Sequence, residues 1–261
     1  MNLSGKTILI TRAGNQTAEI IDLINTNGGV AICFPTIEIH PPENWDPVDH
    51  ALGKLYMYDG IIFTSWNGVS FFFERMKYLH AEISTLNKKN IFAVGEKTKK
   101  ALTEQGVTSI SVPEKHTALD LSRLMREENL NGKCYLFPKG DLAKDTIPST
   151  LKYLGASVDD VIVYRTLPPS GENVEIIRAM LEANKIDVIT FTSPSTVKNF
   201  FQIIGNDKNK YFSAKPRIAV IGPTTATALV EFDLEPDILP SQSSIEAMIE
   251  SIIRYFNTHE Q

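Results

Sequence analysis

Cysteine is scarce in this chain: Cys33 and Cys134 are the two among 261 residues. Both lie in apolar, strand-like runs, so no disulfide framework is expected and two buried free thiols are, because a core Cys behaves as a small hydrophobe. The five histidines, His40, His50, His80, His116 and His259, show no ligand spacing with one another or with either Cys, and no metal site is predicted. Long apolar runs are missing too. None approaches the roughly 18 residues of a spanning helix, and strand-like residues begin at Thr7, which leaves no room for a signal peptide. A cytoplasmic chain without a membrane segment is the expectation. Positive charge is in deficit, with a formal net charge of −5, which argues against nucleic acid as the main partner; Lys97, Lys99 and Lys100 read as one solvated helix face. No G-x-G-x-x-G follows a strand, Gly95-Glu96-Lys97-Thr98 lacks the preceding Gly and spacing of a Walker loop, and no G-x-S-x-G elbow occurs. Nucleotide-cofactor and acyl-enzyme chemistry are therefore disfavoured, and no cofactor is expected.

What the chain does contain is a repeat. Asp59 to Phe72 (DGIIFTSWNGVSFF) matches Asp187 to Phe200 (DVITFTSPSTVKNF), and at nearly the same offset Ile91 to Leu102 (IFAVGEKTKKAL) matches Ile218 to Leu229 (IAVIGPTTATAL). A fainter pair is Lys6 to Arg12 (KTILITR) and Lys133 to Lys139 (KCYLFPK). Three pairs in one order indicate a duplicated unit. Hydrophobic content of 43% with 22% charged residues suits two ordinary cores. Nearly all-apolar runs at Thr7 to Thr11, Ile61 to Thr64, Ile91 to Val94, Cys134 to Phe137, Val188 to Thr192 and Ile218 to Ile221 alternate with amphipathic helical stretches, the pattern of parallel strands buried on both faces. Weaker strands are expected at Ser109 to Val112 and Asp237 to Leu239. About five strands per copy predict two similar α/β lobes of flavodoxin-like size, with a cleft between them.

Two extended segments, Ala31 to His40 and Val158 to Leu167, exceed the usual strand length and end in the pairs Pro41-Pro42 and Pro168-Pro169. They could run side by side as a two-stranded bridge between lobes. Two plain tandem halves meeting near residue 130 fit the spacing equally well.

Six small polar clusters open helices after these strands: Arg12 to Thr17, Ser65 to Gly68, Gly95 to Thr98, Lys139 to Asp141, Ser193 to Thr196 and Gly222 to Thr225. Each is also an ordinary N-cap, and Pro194 and Pro223 suit a first helical turn. Together, at the carboxyl ends of parallel strands, they offer N–H groups and hydroxyls to an anion. Arg12 and Lys139 occupy equivalent positions, as surface cations or carboxylate clamps, and Ser65, Asn67, Ser195 and Thr224 supply further polar groups. Tyr164 lies in the second long segment beside Arg165, where a strand Tyr is ordinarily an interface filler.

The set ILITR, FTSWNGV, AVGEKT, GASVDDVIVYRT, FTSPSTV and IGPTTATAL, in this order, resembles the uroporphyrinogen-III synthase family over practically the whole chain. The resemblance implies the crossed arrangement: one lobe of residues 1–36 and 168–261, a second of 42–163 inserted into it, and linker strands at 37–41 and 164–167 forming a two-stranded β-ladder. It also implies cofactor-free closure of hydroxymethylbilane to uroporphyrinogen III, with inversion of the terminal pyrrole. In that family Tyr164 would assist departure of the hydroxyl, Thr98, Ser193 and Thr225 would face the cleft, and Arg12 would be the first-strand arginine. A monomer with transient contact to the upstream bilane-forming deaminase is expected. Two departures are Ala13, where the family often has Pro, and Asp233, where it often has a helix-end Gly that Asp replaces at some cost. The competing reading is a two-lobed binding or sensor protein that selects a ligand without converting it.

Overall fold

The apolar runs become buried strands because each must satisfy its backbone inside a sheet while covering both faces with helices. In the computed structural model, which describes residues 2–12, 17–113, 118–126, 130–205, 207–212 and 216–259, the strands are β1 (Thr7–Ile10), β2 (Val30–Cys33), β3 (Glu38–His40), β4 (Gly60–Phe63), β5 (Asn90–Ala93), β6 (Ile110–Ser111), β7 (Cys134–Gly140), β8 (Ser157–Leu167), β9 (Val188–Phe191) and β10 (Arg217–Val220). The α-helices are α1 (Thr17–Thr26), α2 (Asp46–Gly53), α3 (Trp66–Tyr78), α4 (Glu96–Glu104), α5 (Ala118–Arg126), α6 (Thr146–Tyr153), α7 (Gly171–Glu182), α8 (Pro194–Ile204), α9 (Lys208–Tyr211), α10 (Pro223–Leu229) and α11 (Ile245–His259). Among the described residues no helix is long and apolar enough to cross a membrane. Ala13 to Gln16, within the first polar cluster, and His116 lie outside the described residues.

The chain divides into two compact units, Met1–Glu38 with Leu167–Gln261, and Ile39–Thr166. The first unit holds a parallel four-stranded sheet in the order β10-β9-β1-β2, and Ile238 adds an isolated parallel bridge to Ala219 of β10. Ile8 and Ile10 pack on one face with Ile20, Ile24, Met248 and Ile252, whereas Leu9 packs on the other with Ile189, Phe191 and Phe200. The second unit is built on the six-stranded sheet β3-β8-β7-β4-β5-β6. Ile61 and Phe63 face one core with Val69, Phe72 and Leu102, and Ile62 faces the other with Phe92, Tyr135 and Phe137.

The repeat appears as equivalent bonds. Asp59 ends the turn into β4, and its Oδ2 accepts the Cys134 N–H of β7 at 2.8 Å; Asp187 ends the turn into β9, and its Oδ2 accepts the Thr7 N–H of β1 at 2.8 Å. The backbone N–H groups of both aspartates donate to the same partners, Cys134 O and Thr7 O, at 2.7 and 2.8 Å. Each carboxylate thus pins the start of a neighbouring strand in the shared order β7-β4-β5 and β1-β9-β10.

Two local expectations change. Ala31 to His40 is not one strand: β2 stops at Cys33, Phe34 turns into the core at 2% exposure, and β3 resumes at Glu38 in the other sheet. Cys33 is exposed instead of buried, because β2 is the edge of its sheet; Cys134 is partly covered, and both thiols are free. The second long segment is one continuous strand, β8, paired in parallel with β7 through a register shift at Lys139/Gly140. Asp233 takes the left-handed conformation at the end of its 3-10 turn, φ 50° and ψ 42°, where Gly carries no Cβ penalty.

Candidate active site

In the second unit, Ser65 caps α3. Its extended backbone (φ −150°, ψ 152°) lets Oγ accept the Gly68 N–H at 3.0 Å, which satisfies one of the unpaired amides at the helix start. The same oxygen lies 3.2 Å from the phenolic oxygen of Tyr164. β8 brings Tyr164 there through its register with β7, where Tyr164 stands opposite Gly140 just past the shift. A Cβ on Gly140 would fall 2.5 Å from Tyr164 Cζ and 2.7 Å from Oη, so the glycine is the seat on which the ring lies. Phe71, from α3, stacks on the same ring with centroids 6.0 Å apart and planes 26° apart. The Tyr164 carbonyl accepts the Asp141 N–H at 3.2 Å, and Asp141 Oδ1 accepts the Thr166 N–H at 2.9 Å. The tyrosine is half-buried and held on several sides. Asn67, in the first turn of α3, is half-buried, and Trp66 beside it is 45% exposed.

Lys139, read from sequence as a surface cation or a carboxylate clamp, is ion-paired in the structure. Its side chain, 11% exposed, is paired with Asp160 of β8 and lies 3.5 Å from Asp145. Burial pulls its ionisation downward, but the hydrogen bond and charge of Asp160, joined by Asp145, outweigh that and hold the ammonium above the usual lysine range. Its charge is paired within its own unit. Parallel pairing of β7 with β8 sets Ile162 opposite Lys139 and Asp160 two residues earlier along β8, within reach of the long lysine side chain, a contact that no local pattern encodes. Thr98 and Thr225, on α4 and α10, are 3% and 2% exposed. They stand in the first turns of the helices that follow Gly95 and Gly222.

In the first unit the corresponding helix start, that of α8, carries a full capping box: Ser193 Oγ accepts the Thr196 N–H at 3.3 Å and Thr196 Oγ1 accepts the Ser193 N–H at 3.2 Å. Ser195 Oγ lies 2.9 Å from Ser193 Oγ. These residues line a hollow of about 200 Å³ with Arg12, Thr36, Ile37, Thr192 and Asn199. Partial burial lowers the Arg12 ionisation somewhat, opposed by the charge of Glu19, and a guanidinium remains charged under any such shift. A helix N-terminus, two hydroxyls and one guanidinium around a small hollow are chemically suited to a carboxylate. Beneath it, Thr11 Oγ1 donates to Thr190 O at 2.7 Å and Thr190 Oγ1 donates to Leu9 O at 3.0 Å, which ties the ends of β1 and β9 together. Thr224, one residue into α10, is exposed. Sequence reasoning missed Thr36 and Asn199. Asn199 was findable, since it follows Ser195 by one helical turn; Thr36 was not, because it sits in the unforeseen break between β2 and β3. Among the described residues no group of three or more His, Cys, Asp and Glu side chains is placed to hold a metal ion.

Parallel sheets covered by helices, with polar helix starts at the carboxyl ends of the strands, define an α/β protein. The family model "Uroporphyrinogen-III synthase HemD" matches residues 18–250, and the chain belongs to that family. It is 36% identical to the uroporphyrinogen-III synthase of Chlorobaculum parvum over 236 residues, 90% of this chain and 93% of that one. With the enzyme of that name from Synechococcus elongatus it shares 31% identity over 88% of this chain and 87% of the other. Among solved structures, a mutant uroporphyrinogen III synthase from the extremely thermophilic bacterium Thermus thermophilus shares the fold with a TM-score of 0.63 at 21% identity, covering 97% of this chain and all of that one.

Proposed function

We propose that this chain is an enzyme that closes hydroxymethylbilane to uroporphyrinogen III, with loss of water and inversion of the terminal pyrrole, in tetrapyrrole biosynthesis. The observation that carries the reading is the family match over residues 18–250. Tyr164 is the proposed proton donor. As the C–O bond of the hydroxymethyl group breaks, the phenolic proton joins the departing hydroxide as water, the pyrrole electrons fill the methylene carbon to give an azafulvene cation, and a phenolate stays behind. The terminal pyrrole then attacks through its substituted carbon to form a spiro intermediate. Fragmentation and reclosure at the free carbon invert the ring, and the proton lost from that carbon restores the phenol. Since the free bilane closes unaided to the unrearranged isomer, the enzyme's main task is to hold one conformation.

Carboxylates of the bilane would be held at Arg12, Ser193 and Ser195 in the first unit, with Thr224 nearby, and at Asn67 in the second. Several modest hydrogen bonds, rather than a strongly basic field, suit a chain of net charge −5. We read residues 1–36 with 168–261 and residues 42–163 as two flavodoxin-like lobes joined at 37–41 and 164–167; the matching orders β2-β1-β9-β10 and β8-β7-β4-β5 support this. The same reading has a cytoplasmic monomer that takes the labile bilane from its deaminase through transient contact.

The test is product identity. Enzymatically generated hydroxymethylbilane is supplied, and the coproporphyrin isomers are separated after oxidation and decarboxylation. The type III isomer is expected in excess over an enzyme-free control. Type I alone, with product still bound, would establish the non-catalytic binding reading.

A further inference from the structure

Ser65 serves two partners with one hydroxyl. Its Oγ accepts the Gly68 N–H at 3.0 Å and sits 3.2 Å from Tyr164 Oη. A serine hydroxyl has two lone pairs and a single hydrogen. With one lone pair committed to Gly68, the hydrogen is available for the phenol. The tyrosine ring itself has little freedom, because Gly140 lies under it and Phe71 stacks on it. What this packing leaves open is rotation of the phenolic O–H.

We propose that Ser65 is a positioning residue that donates its hydroxyl hydrogen to Tyr164 Oη and so turns the phenolic proton away from the protein, toward the bound bilane. The bonds then run in one direction, from Gly68 N–H to Ser65 O–H to Tyr164 O–H, starting at the partly positive N-terminus of the thirteen-residue helix α3. The reverse direction has Tyr164 donating to Ser65, which uses the proton the reaction needs and makes Ser65 Oγ accept twice. The forward direction also acts after proton transfer, since a hydroxyl bonded to a phenolate is charge-assisted. This inference rests on Tyr164 being the proton donor, and it moves Ser65 from substrate contact to orientation of the donor.

A double-mutant cycle separates the possibilities. Steady-state turnover of hydroxymethylbilane generated in situ is measured for wild type, Ser65→Ala, Tyr164→Phe and the double variant, with Ser65→Thr and Ser65→Asp alongside. Losing the orienting bond should lower kcat by about tenfold with KM changed less than about twofold. In the Tyr164→Phe background the same Ser65→Ala change should matter by less than about twofold. Ser65→Thr retains the hydroxyl and should recover most of the turnover. Ser65→Asp still caps the helix but has no hydrogen to give, so it should be as slow as Ser65→Ala while its Tm stays near wild type. An equal Ser65→Ala effect in both backgrounds, or fast turnover by Ser65→Asp, overturns the proposal. Full turnover by Tyr164→Phe alone overturns it together with the proton-donor reading. A slow Tyr164→Phe with independent Ser65 effects overturns the Ser65 role only. If Ser65→Ala does not fold, the Thr and Asp variants carry the comparison.

Discussion

Gly140→Ala tests how tightly the tyrosine is seated. The new Cβ would stand 2.5 Å from Tyr164 Cζ and 2.7 Å from both Cε2 and Oη. Non-bonded carbons settle at about 3.5 to 4.0 Å, so the ring must withdraw by roughly 1 Å or β7 must shift. The backbone at Gly140 is not in the left-handed region, which makes the clash purely one of space. Overpacking of this kind costs about 1 to 3 kcal/mol, or a Tm lower by roughly 3 to 10 °C for a chain of this size. The displacement also disturbs the 3.2 Å contact to Ser65. Misplacing a reacting group by about 1 Å costs on the order of 10²-fold in rate, and a displaced phenol can do no more harm than an absent one, so kcat should fall toward the Tyr164→Phe value without passing it. Thermal melts and turnover with isomer analysis are the assays. In Gly140→Ala/Tyr164→Ala the ring is gone, and the alanine at 140 should then cost little stability. Wild-type kcat and Tm in Gly140→Ala, or an undiminished alanine penalty in the double variant, would refute the seat.

Other outcomes follow from the same structure. Asp59→Ala and Asp187→Ala should each lose about 1 to 2 kcal/mol by urea unfolding, since each leaves a strand-start N–H without its acceptor; equal stability to wild type for both would contradict the shared strand-pinning role. The Asp59 carboxyl is held below its usual range by the Lys133 hydrogen bond and then by the Cys134 N–H. The stability it contributes is thus complete above the ordinary carboxylate range and lost as pH falls through the lowered value, so the wild-type advantage over Asp59→Ala should shrink in acid. Lys139→Met should destabilise by about 1 to 2 kcal/mol, since Asp160 loses its partner but is 40% exposed; because the ammonium is held above the usual lysine range by carboxylate partners, that loss should hold across neutral pH, wherever those carboxylates are ionised, and fade as pH rises through the raised lysine value. A KM raised tenfold or more with unchanged stability would instead return Lys139 to the substrate. His80 is exposed with φ 54°, so His80→Gly should raise Tm by about 1 to 3 °C as the left-handed strain is relieved; an unchanged or lower Tm would place the strain elsewhere.

Most of the framework was legible locally. The buried strands announce themselves as all-apolar runs, and the repeat predicts equivalent elements, which Asp59 and Asp187 then realise in equivalent bonds. Ser65 and Ser193 read as helix caps because capping depends on residues within one turn, and both are caps. The extended pattern of Val158 to Leu167 also became one strand, β8.

Contacts between distant segments were decided only by the tertiary structure. An extended pattern carries no record of which sheet receives it, so Ala31 to His40 read as one strand although Phe34 turns inward and its ends enter different sheets. Cys33 looked buried because its neighbours are apolar, but exposure depends on β2 being an edge. Lys139 read as a surface cation or a carboxylate clamp because nothing near it in sequence reveals its ion pair with Asp160 of β8. The register of β7 against β8 puts Tyr164 over Gly140 and within reach of Ser65. The amino-acid order determined which elements form and which residue types open their helices; pairing register, fixed by packing of both sheet faces at once, determined which of those residues meet.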